Sequence, residues 1–491
     1  MGALALAGLL GTPALGALLL AAIPRYRVAA ALNVTLCALT LSCAAALYWH
    51  RPERSLYLLV DDVNTVFLLV GALVGFSTSV FSAGYIAHEL QTRRLTARDL
   101  RFYHAMYQLL MFAMNLALLS NNIGLMWVAI ELATLTTVMM VGIYRTSAAL
   151  EAAWKYFILG SVGIALALFG TILVYLAAQE HLGQGMVAMA WDRLAASSAS
   201  FDPSLLNLSF VFLLLGYGTK VGLVPVHAWL PDAHGEGPTP ISAVLSGLLL
   251  NVALFALLRF KLIIAGNSHV LAPGPMMVTM GLTSLLFAGF MLYRRRDIKR
   301  LFAYSSIEHM GIITLAFGLG GPLASFAGLL HMTMHSLTKS AIFFGVGYIS
   351  QLEGTQRTAD IRGLTHSQPL LGWLLVLSVV AIAGMPPFGI FTSEFLLVTS
   401  TFPRSPWLAI VLVVGLLIAF SALALRLQTD TEVVDLENLA VVRDLVLHPQ
   451  PAHDLDALIH ALCALIERHV ESLELGVAIT HADAKHVAAA R

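Results

Sequence analysis

The chain has 491 residues, 58% hydrophobic and 11% charged, with a mean hydropathy of +0.82. This composition excludes an ordinary soluble domain and predicts an all-α polytopic membrane protein. Formal net charge is zero, so no charged bulk points to nucleic acid as a partner, and Cys37, Cys43 and Cys463 form no CxxC pair. That argues against a thiolate-held cluster, a structural zinc site or a disulfide framework in this chain.

The opening MGALALAGLLGTPALGALLL has no basic residue ahead of its apolar run, and it reads as a first membrane helix rather than a cleaved signal. About thirteen runs meet the ~20-residue requirement for crossing the hydrocarbon. They lie at 3–22, 28–48, 57–81, 104–120, 122–143, 154–178, 205–227, 239–260, 274–293, 301–319, 323–350, 369–396 and 406–427. Nothing reads as a strand. Residues 428–491 are polar, with Leu455, Leu458, Ile459, Leu462, Leu465 and Ile466 at helical spacing, so part of this tail is expected to be an amphipathic helix. Roughly fifteen basic residues fall in loops of one face and six in loops of the other. The richer set includes Arg25, Arg93, Arg94, Arg145, Lys155, Arg294 to Arg300, Arg357 and Arg362; the poorer set includes Arg51, Arg259 and Arg404. The positive-inside rule then places the N-terminus outside and the C-terminus in the cytoplasm of a cell membrane.

Ionisable residues inside the spans cost at least ~2.5–3.5 kcal/mol each at mid-span, so several of them need a collective reason. Glu131 lies about two turns into its span. Lys220 lies in an apolar run, five residues before Pro225. His227, Asp232, His234 and Glu236 follow that proline. His331, His335 and Lys339 recur at steps of four and form one drifting stripe. Glu394 follows a second break, GMPPFG at 384–389. Proline interruptions are tolerated in a bilayer only where protein or a wet cavity takes up the freed backbone groups, which is where ion pathways run. Three groups stay open at this level. His309 is a packing or a relay residue, Glu308 a headgroup-level or a relay residue, and Lys155 a snorkelling or a functional one. HxxxH at 331–335 could hold a metal, but no neighbouring Asp, Glu or Cys completes a site, so none is expected.

The breaks near 225 and 386 fall in the seventh and twelfth spans. Spans 4–8 and 9–13 therefore read as two copies of a five-helix unit, and an odd helix count forces the copies to be inverted. The organisation is then an N-terminal helical part (1–81), a first repeat (104–260), a second repeat (274–427) and a polar cytoplasmic tail (428–491). Lys220 in one copy would face the role of Glu394 in the other.

Together these stretches resemble the antiporter-like, proton-translocating membrane subunits of respiratory complex I, Mrp-type cation/proton antiporters and membrane-bound hydrogenases. The matching segments are the Glu131 helix, AAWKYFILGS at 152–161, TKVGLVPVHAWLPDAHGEGPTPISAVLSG at 219–247, LFAYSSIEHMG at 301–311, HMTMHSLTKSAIFF at 331–344 and AGMPPFGIFTSEF at 383–395. The likeness runs from about residue 57 to 427. It bears most on the hydrogenase-4 or formate hydrogenlyase branch, through Glu308 in SSIEHMG and Asn251, where complex I relatives usually carry lysine. An amide can bond a water chain but cannot take a proton, so this departure removes one relay group.

The resemblance implies a proton-translocating subunit of a hydrogenase-4-like or NADH dehydrogenase-like oxidoreductase complex, or alternatively a subunit of an Mrp-type Na+/proton antiporter. Glu131 would tune Lys220 as first carrier, Lys339 with His335 and His331 would form the central connection, and Glu394 would be the exit. Lys155, His227, Asp232, His234, Asn251, Glu308 and His309 would support them. The chain would hold no cofactor or redox centre of its own. Clusters, a nickel–iron site or a flavin would sit in partner subunits, with other membrane subunits, a peripheral redox arm, protons or Na+, and lipid as its partners.

Overall fold

A computed structural model describes residues 1–361 and 363–429. Arg362, the amphipathic pattern from Leu455 to Ile466, and Cys463 lie outside the described residues. The helices are α1 (Gly2–Ala22), α2 (Tyr26–Trp49), α3 (Asp62–Gln91), α4 (Ala97–Leu119), α5 (Ile123–Val141), α6 (Ser147–Leu182), the short α7 (Trp191–Ser197), α8 (Pro203–Val221), α9 (Trp229–Glu236), α10 (Thr239–Val244), α11 (Leu250–Ala265) and α12 (Pro273–Leu292). They continue with α13 (Ile298–Leu319), α14 (Pro322–Glu353), the short α15 (Leu364–Ser367), α16 (Pro369–Ile382), α17 (Gly389–Thr401) and α18 (Pro406–Thr429). Among the described residues β-pairing is limited to isolated bridges.

Polar residues set many of the helix starts. The side chains of Asp61, Thr96, Asn122, Thr146, Asp202 and Asp297 each accept a backbone N–H of the first turn, satisfying donors that have no partner inside the helix.

Ten helices among the described residues are long and apolar enough to cross a membrane. The sequence count of about thirteen differs at three places. α13 and α14 carry titratable groups along their length and fall short of that apolarity, and the twelfth expected span is split into α16 and α17. α3 also runs ten residues past the expected 81, because Tyr85, Ile86 and Glu89 still face the interior.

Close packing rests on glycines, as expected where helices associate without water to drive them together. A Cβ on Gly216 of α8 would lie 2.5 Å from Ala167 N of α6. Between α12 and α13, a Cβ on Gly281 would lie 2.5 Å from Gly311 O, and one on Gly274 equally close to Gly318 O. The helix from Thr239 to Ala265 is buried throughout its most apolar 18-residue window, so it forms the centre of the bundle. It contains one π-helical turn, Leu245–Leu249.

The two breaks share one hydrogen-bond pattern. α8 ends at Gly222 in the left-handed region (φ +81), with Gly222 N donating to Thr219 O, Leu223 N to Gly218 O, and Val226 N to Leu223 O. After α16, Gly384 (φ +74) donates to Ala381 O, Met385 N to Val380 O, and Phe388 N to Met385 O. Each is a helix end closed by a left-handed glycine, followed by a cis X–Pro bond at Val224–Pro225 or Pro386–Pro387. Counted from these glycines, the position equivalent to Glu394 is Asp232, ten residues on, and not Lys220, which precedes its glycine by two.

Ion pairs join loops that the charge count had assigned to the same face. Arg145 meets Asp99 at 3.3 Å, and Asp232 meets both Lys155 at 3.2 Å and Arg300 at 3.1 Å. At the other end Arg259 pairs with Asp61 at 2.6 Å under the Trp191 ring, and Arg404 donates to Leu319 O and Gly320 O.

Candidate functional site

The first cluster forms where α8 faces α5 and α6. Lys220 is the last charged residue before the break and is 1% exposed. Its Nζ donates to Thr134 Oγ1 at 2.7 Å and lies 3.5 Å from Glu131 Oε2. Room for the ammonium exists because Gly160 of α6 has no side chain; a Cβ there would lie 3.0 Å from Nζ. Thr134 was missed by sequence reasoning. A threonine one helical turn beyond Glu131 is its only signal.

The second cluster gathers α13, α14 and α17. His309 Nδ1 and His331 Nε2 are 2.9 Å apart, and His331 Nδ1 is 2.9 Å from Ser393 Oγ. The His335 ring centre is 5.4 Å from that of His309. Glu394 completes the group, with one ligand-type atom each from His309, His331 and Glu394 within 4.8 Å of one another. This corrects the sequence reading that no carboxylate stands near the HxxxH histidines: Glu394, 63 positions along the chain from His331, is brought there by the second break. The Glu394 carboxylate occupies the space a side chain on Gly384 would fill. Two histidines and a carboxylate are metal-ligand types, yet the 2.9 Å contact already pairs the two rings, each of which can offer one donor and one acceptor.

Lys339 is completely buried, one turn from His335. Its Nζ donates to Phe302 O at 2.9 Å, over the Phe302 ring. Glu308 is 3% exposed and its Oε2 has no hydrogen-bond partner, which places its side chain in the interior of the helical bundle. Neither ring nitrogen of His335 is bonded.

On α11, Asn251 Nδ2 donates to Gly247 O inside the π-helical turn (2.9 Å) and to Ser336 Oγ on α14 (2.7 Å). Nearby, Ser246 and Ser306 share a 2.7 Å bond. A π turn commonly marks a functional place in a helix, and here it presents both Ser246 and the carbonyl taken by Asn251.

Not every expected residue joins these clusters. Lys155 is about half exposed, between Glu151 at 2.7 Å and Asp232. Glu236 pairs with Arg300 at 3.0 Å. These pairs hold α9 to α6 and α13 at the arginine-rich face. His227 packs against the Phe287 and Tyr304 rings, while His234 is buried against Phe343.

Residues 120–419 match the family described as NADH:quinone oxidoreductase/Mrp antiporter, TM. The chain belongs to that family. A hydrogenase-4 component F homolog of Methylacidiphilum infernorum (isolate V4) is 61% identical over 415 residues, 84% of this chain and 87% of that protein. Two solved structures share the fold at a TM-score of 0.77. One is the archaeal membrane-bound sulfane sulfur reductase (22% identity, 86% of this chain and 87% of that one). The other is the Mrp complex from Dietzia sp. DQ12-45-1b (21% identity, 88% and 81%).

Proposed function

We propose that this chain is a proton-translocating membrane subunit of an energy-converting oxidoreductase complex of the hydrogenase-4 type. It spans the cytoplasmic membrane with its arginine-rich face inside. The observation that carries this reading is Lys220: an ammonium sealed from solvent, paired with Glu131, at the end of an interrupted helix. A charge kept at such cost inside an apolar bundle is the mark of an ion route. The high identity to a relative named as a hydrogenase-4 component supports the type of complex.

Protons enter at Lys220, cross by Asn251, Ser336 and bridging water to Lys339 and His335, and leave through His309, His331 and Glu394. An imidazole pair suits this, since a proton arriving on one nitrogen releases one from the next. Electrostatics times the steps. At an effective dielectric of ~20, charges 3.5 Å apart attract by about 5 kcal/mol, and doubling the distance halves that. The difference of about 2.4 kcal/mol matches moving one charge through ~100 mV, so a shift of Glu131 by a few ångströms suffices to release or retain a proton. Redox chemistry in partner subunits, where clusters, nickel–iron or flavin would reside, supplies the trigger.

In inverted vesicles carrying the native complex, Lys220→Ala abolishes redox-driven proton uptake. Undiminished proton flux in the assembled variant rejects the assignment. The alternative, a cation/proton antiporter subunit, predicts transport that requires sodium and a complex that purifies without redox subunits.

A further inference from the structure

Among the buried polar groups that the route above leaves unused are Glu89 on α3 and His234 on α9, and one stripe of α14 connects them to Lys339. Lys339, Phe343, Gly347 and Gln351 recur at intervals of four and share that face. At the end nearest the arginine-rich face Gln351 Nε2 donates to Glu89 Oε1 at 2.7 Å. Glu89 is 0% exposed, yet Arg94 Nη1 approaches to 4.0 Å from a guanidinium that is 57% exposed, so the carboxylate sits just beneath the arginine-rich surface. One turn deeper, Gly347 lies against Thr239. Thr239 Oγ1 is 3.4 Å from Tyr85 OH, itself 3.4 Å from Tyr144 OH. One turn deeper again, Phe343 stacks on the His234 ring at 5.0 Å and 6°. The next rung is Lys339.

His234 is fully buried and neither ring nitrogen has a hydrogen-bond partner. Buried polar groups left unbonded are rare and call for a reason. Lys299 reaches the backbone beside this ring, and Lys339 lies one turn of α14 before the Phe343 on which the ring stacks. Lys299 is also buried and has a positioning part. Its Nζ donates to Gly235 O at 3.0 Å and Gly237 O at 2.6 Å, the carbonyls at the C-terminal end of α9, and so fixes the backbone beside His234.

We propose that Glu89 and His234 form the loading branch of the relay, carrying protons from the arginine-rich face to Lys339. The Glu89 carboxylate takes a proton from surface water. The proton passes along the Tyr85 and Thr239 hydroxyls and bridging water to one nitrogen of His234. The other nitrogen gives up its own proton to the Lys339 amine once that amine has discharged toward His335. One proton enters for each that leaves, and Glu89 returns to a carboxylate. This branch rests on the relay reading. It supplies the central lysine a second time, which matters in a chain where the crossing from Lys220 depends on water held by Asn251, an amide that takes no proton itself.

The test measures redox-driven proton uptake by the assembled complex in inverted vesicles, in H2O and D2O. Glu89→Gln and His234→Gln are each expected to slow uptake at least tenfold and to raise its solvent isotope effect at least twofold, because loading becomes rate-limiting. Glu89→Asp restores most of the rate, a rescue that a merely structural role for the side chain would not give. Should Glu89→Gln fail to assemble, His234→Gln carries the same test. Lys339→Ala, run alongside, separates the two levels. If it alone stops pumping while both glutamine variants pump normally with an unchanged isotope effect, the loading branch is refuted and the relay stands. If Lys339→Ala also pumps normally, the relay itself is refuted.

Discussion

Glu131→Gln preserves side-chain shape and deletes one charge. Lys220 Nζ is 3.5 Å from Glu131 Oε2, an attraction of about 5 kcal/mol at an effective dielectric of ~20. What remains for the ammonium is the 2.7 Å bond to Thr134, a bond of a kind worth ~1.5–3 kcal/mol net when one partner is charged. That bond is present with or without the carboxylate, so it offsets none of the loss, and the ~3–5 kcal/mol typical of removing one partner of a buried pair falls on a group with 1% of its surface exposed. If half of that enters the barrier to proton transfer, the rate drops by one to two decades, since each ~1.4 kcal/mol is a decade. The assay is dye-reported acidification of inverted vesicles, normalised to the amount of assembled complex. Glu131→Asp retains the charge and should keep a substantial part of the rate. Pumping within about twofold of wild type for assembled Glu131→Gln would refute the electrostatic coupling.

Other expectations follow from the same contacts. Asn251→Leu loses bonds to Gly247 O and Ser336 Oγ, each of a kind worth ~0.5–1.5 kcal/mol net, while the Ser336 hydroxyl keeps its bond to Met332 O; thermal unfolding in detergent should begin several degrees lower, and an unchanged midpoint would mean those bonds contribute nothing. Gly281→Leu places atoms 2.5 Å from a backbone oxygen of α13, which cannot move aside as a side chain would, so the variant should fail to accumulate in membranes; normal accumulation contradicts the close α12–α13 packing. Lys155→Met removes half-exposed pairs that solvent screens, so pumping should stay within about twofold, and a tenfold loss would move Lys155 into the relay.

The sequence makes the helical class and both interruptions legible, because apolar runs, Pro and Gly act locally. The His331–His335–Lys339 stripe is legible for the same reason, being a matter of helical period alone. The partners of those residues are not, because they come from distant segments. Ser393 and Glu394 reach His331 across some sixty positions, and Ser336 reaches Asn251 across 85. Hydroxyls such as Thr134 and Ser336 are invisible beforehand, since serine and threonine are common in helices and mostly bond their own backbone. Glu89 escapes notice because α3 looks finished at 81, whereas its last turns stay helical and buried against α14. Counting from proline alone makes Lys220 and Glu394 look like counterparts. The shared glycine-closed helix ends show Asp232 to be the positional match of Glu394.

The most direct measurement is a density map of the assembled complex in lipid, fine enough to resolve ordered water. A file of waters joining Lys220 to Asn251 and Ser336, on to Lys339 and His335, and out past His331 to Glu394 is the predicted result. Dry, packed apolar side chains separating the Lys220 cluster from the Lys339 cluster, or Lys339 and Glu394 turned toward lipid, would contradict it.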